Sequence, residues 1–246
     1  LNYKTITKKD YSNIAGPDWP SFDVFQTLNV VPDFIQHELE SLVADSLSTH
    51  LLFDNNLEYL NFLNQEYFYI CQNRSVLEIG ANTGMHTDII KTQNPNYYQV
   101  IEPDGDACTT FKKNHPEINL IQEDVFEVLI NKKDFDVVIC FGVLYHLHSP
   151  LYLLELIANS CNPQFIMLDC VNDPDNLEFL EEPPNQSGNR FVTQQKKSCN
   201  FNLVAPFEII AQGMKHLDYK LVKNTRFTVP NMFSKSNSWV GLWEKN

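Results

Sequence analysis

No apolar run in this chain of 246 residues approaches the roughly 20 needed for a membrane-spanning helix. The first residues, Leu1-Asn2-Tyr3-Lys4, form no hydrophobic signal region. The expectation is a cytoplasmic protein that does not insert into a membrane. Six cysteines (Cys71, Cys108, Cys140, Cys161, Cys170 and Cys199) make no C-x-x-C pair and no regular framework. Several sit inside apolar runs, so buried reduced thiols are expected rather than disulfides or a zinc site. Ser-His-Asp elbow, H-E-x-x-H and P-loop signatures are all absent, as are internal repeats. His146-Leu147-His148 is the nearest approach to a metal pair, but it has no recognisable third ligand, so no metal is expected.

Positive charge is also scarce. Eighteen Lys and Arg stand against 31 Asp and Glu, a formal net charge of −13. That balance argues against broad nonspecific nucleic-acid binding, which is driven by phosphate neutralisation. The deficit is uneven: residues 187–246 hold nine Lys/Arg against three Asp/Glu. This basic quarter could receive an anionic substrate or simply be a solvated face. With 43% hydrophobic and 12% aromatic residues, the chain has ample material for a globular core.

Residues 1–30 read as irregular, with a turn cluster at Gly16-Pro17-Asp18-Trp19-Pro20. Helical spacing of apolar residues follows from Pro32 to about Leu52 and again from Asn56 to Ile70. After Asn73 the pattern changes to short apolar strands alternating with helices. The predicted strands are Ser75–Ile79, Tyr97–Ile101, Asn119–Gln122, Phe135–Phe141 and Gln164–Cys170. The predicted helices are Met85–Thr92, Asp104–Asn114, Val125–Asn131 and Pro150–Asn159. Such alternation implies an α/β fold with a parallel sheet covered on both faces, whose ligands bind at the C-terminal strand ends. Residues 171–202 lack periodicity and read as a long binding loop. A helix near Pro206–Lys215 and strands at Tyr219–Lys223 and Ser238–Trp243 close the chain. Domain boundaries are expected at 1–72, a helical extension, and 73–246, the α/β domain.

The polar motifs fall at strand ends. Ser75–Ile79 runs into Gly80-Ala81-Asn82-Thr83-Gly84, a small-residue turn that lets backbone approach a nucleotide-like ligand. Glu102, followed by Pro103-Asp104, ends the second strand, where a carboxylate suits a ribose diol. Asp124 ends the third; it could accept a bond from an adenine amine while the N–H of Val125 donates to a ring nitrogen. The fourth opens into Phe141-Gly142-Val143-Leu144-Tyr145-His146-Leu147-His148-Ser149-Pro150.

Over about residues 70–170, with these four motifs in order, the chain resembles the class I S-adenosylmethionine-dependent methyltransferases. The resemblance implies a Rossmann-like, seven-stranded, mostly parallel sheet with S-adenosylmethionine as cofactor. Glu78 would help organise its methionine end, Gly80–Gly84 with His86 nearby would cradle it, Glu102 would bind ribose and Asp124 would face adenine. The common G-x-G-x-G loop here has Asn82 at its middle position, and Asn tolerates left-handed backbone better than most residues. A narrower resemblance is to the enzymes that carboxymethylate the wobble uridine of tRNA with carboxy-S-adenosylmethionine. It rests on Met85-His86, on Gly142-Val143-Leu144-Tyr145-His146 with Ser149-Pro150, and on Gly188-Asn189-Arg190-Phe191. Two arginines of that group are replaced by Leu147-His148.

Tyr145 and His146 are the candidate chemical residues, because the fourth-strand loop of this fold faces the transferring methyl. His146 could act as general base or be a hydrogen-bonded loop histidine; Tyr145 could wall the substrate or pack in the core. Arg190 could pair with a carboxylate or phosphate of the substrate, or lie on the surface. Trp19 and Trp239 could be pocket walls or core. The expected function is methyl transfer to a small or medium polar acceptor, with a tRNA-modifying transferase as the first variant. A nicotinamide-dependent oxidoreductase shares the strand, turn and acid but lacks its third glycine, Met85 lying nearby. A catalytically silent cofactor-binding module is the third reading.

Overall fold

The computed structural model describes residues 51–53, 56–131, 133–170, 178–181, 201–228 and 238–246. The predicted turn cluster with Trp19, nearly all of the first predicted helix, and Arg190 lie outside the described residues. The chain divides into two compact units, Leu1–Leu47 and Ser48–Asn246. Among the described residues no helix is long and apolar enough to cross a membrane.

In the second unit the strands are β1 (Leu51–Leu52), β2 (Ser75–Ile79), β3 (Tyr97–Ile101), β4 (Asn119–Ile121), β5 (Val137–Cys140), β6 (Phe165–Cys170), β7 (Glu178–Glu181), β8 (Phe201–Val204), β9 (Tyr219–Thr228) and β10 (Ser238–Lys245). Eight of them form one sheet in the order β1-β9-β10-β6-β5-β2-β3-β4. The five from β2 to β6 are parallel, and β10 lies antiparallel between β6 and β9. This is the expected seven-stranded sheet, with β1 added at its edge. Leu51-Leu52, predicted as the end of a helix, instead pairs parallel with Phe227 and Thr228. That pairing exists because β9 runs on to Thr228, past the expected end at Lys223. The segment expected as a loop from 171 to 202 contributes β7 and begins β8, which pair antiparallel as a separate two-stranded sheet.

The helices are α1 (Asn56–Glu66), α2 (Met85–Lys91), α3 (Gly105–Asn114), α4 (Val125–Leu129), α5 (Pro150–Leu156) and α6 (Phe207–His216). Strand alternation sorts the core into two faces. Leu77, Ile79, Val138, Cys140, Ile166 and Leu168 pack with residues of α4, α5 and α6. Val76, Val137, Ile139 and Met167 point the other way, against Tyr59 and Leu63 of α1 and Ile90 of α2. Helices therefore cover both faces, as a parallel sheet requires. Five cysteines, Cys71, Cys108, Cys140, Cys161 and Cys170, are buried and form no disulfide among the described residues. Left-handed turns fall largely to short amides: Asn73, Asn82, Asn94 and Asn162 all have positive φ, as does Asp218.

Helix α1 thus folds as part of the unit that holds the sheet, although the sequence places the domain boundary at residue 72. Leu63 is wholly buried in that interface. Leu63→Ala is expected to lower unfolding free energy by about 2–5 kcal/mol in urea titrations, the usual cost of emptying a core leucine site. A loss under about 1 kcal/mol would mean that α1 docks only loosely on the sheet.

Candidate active site

The turn after β2 has its shape fixed at both glycines. Gly80 has φ +76, and a Cβ there would overlap Cγ2 of Val143. Gly84 has φ +101 and opens α2, and a Cβ there would overlap the ring of His115. Between them Asn82 adopts φ 53, so the left-handed conformation expected of an asparagine at this point forms. The turn's own N–H groups are partly committed within the protein: Gly80 donates to the Ile101 carbonyl at 2.8 Å and Gly84 to the Ala81 carbonyl at 3.0 Å.

Glu102, one residue beyond β3, is 1% exposed. Its Oε2 accepts the Asn82 N–H at 2.8 Å, and its Oε1 accepts the Asp104 N–H at 2.9 Å. Burial raises its carboxyl above the ordinary value, and the two N–H groups oppose that shift. Each oxygen retains a second lone pair for a ligand donor. Asp124 caps α4 by accepting the Phe126 N–H at 3.0 Å through Oδ1, and burial raises its carboxyl as well.

These groups line one cavity of about 410 Å³. Its floor is the β2 turn from Gly80 to Thr83, with Met85 and His86. One end is formed by Glu102, Pro103, Asp124 and Val125; the other by the β5 loop from Phe141 through Gly142, Tyr145 and His146, together with Asp169. The structure therefore brings together most of the residues singled out from the sequence. His86 is half-buried, with its ring edge-on to Phe141 at 5.4 Å, and desolvation pushes its imidazole down to about 4. It is neutral at physiological pH.

Glu78 and Gly84 do not line the cavity. Glu78 points to the α1 and α2 face, where its Oε2 accepts the hydroxyls of Thr87, at 2.7 Å, and Tyr98. It braces the start of α2 from beneath. Burial pushes its carboxyl up to about 7. Trp239 is core, wholly buried and edge-on to Phe207 at 5.1 Å. Among the described residues no group of His, Cys, Asp and Glu could hold a metal ion.

The site residue that sequence reasoning missed is Asp169. It occupies a position on β6 that alternation assigns to the same face as Met167, yet it is a carboxylate only 2% exposed. Its Oδ1 accepts the Gly142 N–H at 2.7 Å, which ties the β5 loop to β6. Burial pushes its carboxyl up to about 7. Burial first, and then the charge of Asp169, raises the hydroxyls of Tyr59 and Tyr145. The signal was present: one acid in the otherwise apolar run Phe165–Cys170. An acid there is expensive to bury unless it has a task.

The cavity's ionisable lining, among the described residues, consists of Glu102, Asp124 and Asp169 with His86, His146 and the Tyr145 hydroxyl. Such a pocket suits a ligand with hydrogen-bond donors at one end and a positive charge along its length.

These buried groups set the pH dependence of stability. Glu78 and Asp169 have folded-state values above their ordinary 4.5 and 3.8, so their contribution is complete below those values and is lost as pH rises through about 7. His86, lowered from 6.5, acts oppositely, with its contribution complete once pH exceeds that value. Between about pH 5 and about pH 7 the two carboxyls outweigh the single histidine, and just above about pH 7 the last of their contribution goes, so the melting temperature of the ligand-free protein falls over that window. Asp169→Asn is expected to flatten that fall in calorimetric scans. An unchanged slope would show that Asp169 is ionised at normal carboxylate pH.

Comparison with known proteins agrees with this architecture. The family model described as a methyltransferase domain matches residues 35–182, more than half of the chain. The tRNA U34 carboxymethyltransferase of Pseudoalteromonas atlantica is 26% identical over 166 residues, 65% of this chain and 48% of the relative. The protein of the same name from Nautilia profundicola is 28% identical over 98 residues, 37% of this chain and 32% of the relative. The chain thus spans less than half the length of these curated relatives. Among solved structures, the N-terminal domain of EvdMO1 with SAH bound aligns with a TM-score of 0.55 at 12% identity, covering 86% of this chain and 97% of that one. The N-methyltransferase NodS from Bradyrhizobium japonicum, in complex with S-adenosyl-L-homocysteine, aligns with a TM-score of 0.54 at 14% identity, covering 84% and 98%. The chain belongs to the methyltransferase-domain family and has the class I S-adenosylmethionine-dependent methyltransferase fold.

Proposed function

We propose that the protein transfers a methyl group from S-adenosylmethionine to a small or medium polar acceptor. The observation that carries this reading is a single cavity joining the glycine turn, Glu102 and Asp124 at one end to Tyr145 and His146 at the other. When bound, S-adenosylmethionine supplies a methyl carbon made electrophilic by its sulfonium.

The chain's own residues then divide the work. Glu102 accepts the ribose hydroxyls on the lone pairs left by Asn82 and Asp104. Asp124 uses the carboxylate oxygen not engaged in capping α4 to accept the adenine amine, and Val125 and Pro103 flank the base. Ala81 and Asn82 let the chain run close beneath the ligand, while Phe141 and His86 present an apolar, uncharged wall. Glu78 supports the turn and the start of α2 rather than the ligand itself. Tyr145 walls the acceptor side, and His146 receives or orients the proton of an attacking hydroxyl or amine. Methyl transfer is an in-line displacement, so positioning by these walls accounts for much of the acceleration.

The name of the curated relatives favours tRNA as a second acceptor class, and the basic segment 187–246 is the place where its phosphates would dock. Overall acidity weighs against that reading.

Calorimetric titration with S-adenosylmethionine, its homocysteine product and NAD tests the proposal. The first two are expected to bind and NAD is not. Glu102→Ala is expected to weaken product binding by about 10–100-fold, the scale of losing charge-assisted hydrogen bonds. Binding of NAD alone would overturn the reading in favour of an oxidoreductase.

A further inference from the structure

We infer that Asp169 is a specificity residue: it reads the charge of the group to be transferred, favouring a plain methyl sulfonium over a donor whose transferred group carries a carboxylate. This rests on the S-adenosylmethionine reading above and adds which form of the donor the site accepts.

Strand register places the carboxylate. Ile101, Ile79, Cys140 and Leu168 are partners across β3, β2, β5 and β6. The next residue on each chain gives the row Glu102, Gly80, Phe141 and Asp169. Three strand spacings of about 4.8 Å separate Glu102 from Asp169, about 14 Å along the cavity. Ribose held on Glu102 therefore cannot also reach Asp169. In the other direction the row leads towards β4 and Asp124, the adenine end. The sulfur-bearing part of the donor must run from Glu102 across the β2 turn towards β5 and β6, where Asp169 closes the cavity.

Its chemistry there is well defined. Gly142 holds Oδ1 at 2.7 Å, which fixes the carboxylate's orientation. Oδ2 accepts no hydrogen bond among the described residues, and Asp169 lines the cavity. With the residue only 2% exposed, little water screens its charge. The described cavity lining contains no lysine or arginine to pair with a ligand carboxylate. A sulfonium beside Asp169 is attracted, whereas a carboxylate on the transferred carbon meets a like charge. This preference separates the chain from its curated relatives, whose name denotes carboxymethyl transfer.

The test is calorimetric titration of the wild-type chain and Asp169→Asn, at about pH 8, with three ligands: S-adenosylmethionine, carboxy-S-adenosylmethionine and S-adenosylhomocysteine. Asparagine keeps an oxygen for the Gly142 N–H and removes the charge. The wild type is expected to bind S-adenosylmethionine at least about tenfold more tightly than the carboxylated donor, a modest electrostatic difference for a buried site. In Asp169→Asn the ratio narrows to about threefold or less, while affinity for the uncharged-sulfur product changes by less than about threefold. Equal or tighter wild-type binding of the carboxylated donor overturns the inference, even if the variant fails to fold. An unchanged ratio in the variant overturns it too. So does parallel weakening of all three ligands, which would assign Asp169 to the amino-acid end of the donor. Failure of all three to bind the wild type would instead overturn the S-adenosylmethionine reading itself.

Discussion

The geometry of the site depends on one buried carboxylate clamping two turns. Glu102 accepts the N–H of Asn82 from the turn after β2 and the N–H of Asp104 from the turn after β3. Neighbouring parallel strands have no direct connection, and beyond the ladder and the Gly80 N–H to Ile101 carbonyl bond this clamp is what ties their C-terminal turns together. The clamp does so by spending one lone pair of each oxygen and leaving the others for a ligand. Asp104 then caps α3 through its own side chain, accepting the N–H groups of Asp106 and Ala107. A single acid thus couples the shape of the glycine turn, the start of a helix and the floor of the cavity.

Further buried carboxylates follow the same logic at different cost. Glu78 is satisfied by two hydroxyls, those of Thr87 and Tyr98, beneath α2. Asp169 has one N–H and a cavity to face. Isolated charge in such surroundings is costly, and both groups are pushed up to about 7. Stability is therefore given up on the α1 face in exchange for a polar group at the mouth of the sheet, a frequent trade at functional sites.

Much of this was legible in the sequence because local rules and the global fold agree. Short apolar strands alternating with helices required a parallel sheet, and the acids at the ends of β3 and β4 had to converge with the glycine turn. Asn82 could be assigned a left-handed backbone from its residue type alone. What escaped were features set by distant partners. The length of β9 follows from its pairing with β10, and the strand at Leu51-Leu52 follows from the edge that β9 exposes. The placement of Glu78 depended on Thr87 and Tyr98, which no local pattern joins to it. Asp169 was hidden because an acid within an apolar run reads as part of a strand until its face, and the cavity at its end, are known.

A crystal structure of the protein with S-adenosylhomocysteine bound tests the central claim most directly. The account predicts both ribose hydroxyls within hydrogen-bond distance of the Glu102 carboxylate, adenine against Val125 and Asp124, and the sulfur lying over the β2 turn towards Phe141 and Asp169. A ligand bound in the reverse sense, or ribose held away from Glu102, would contradict it.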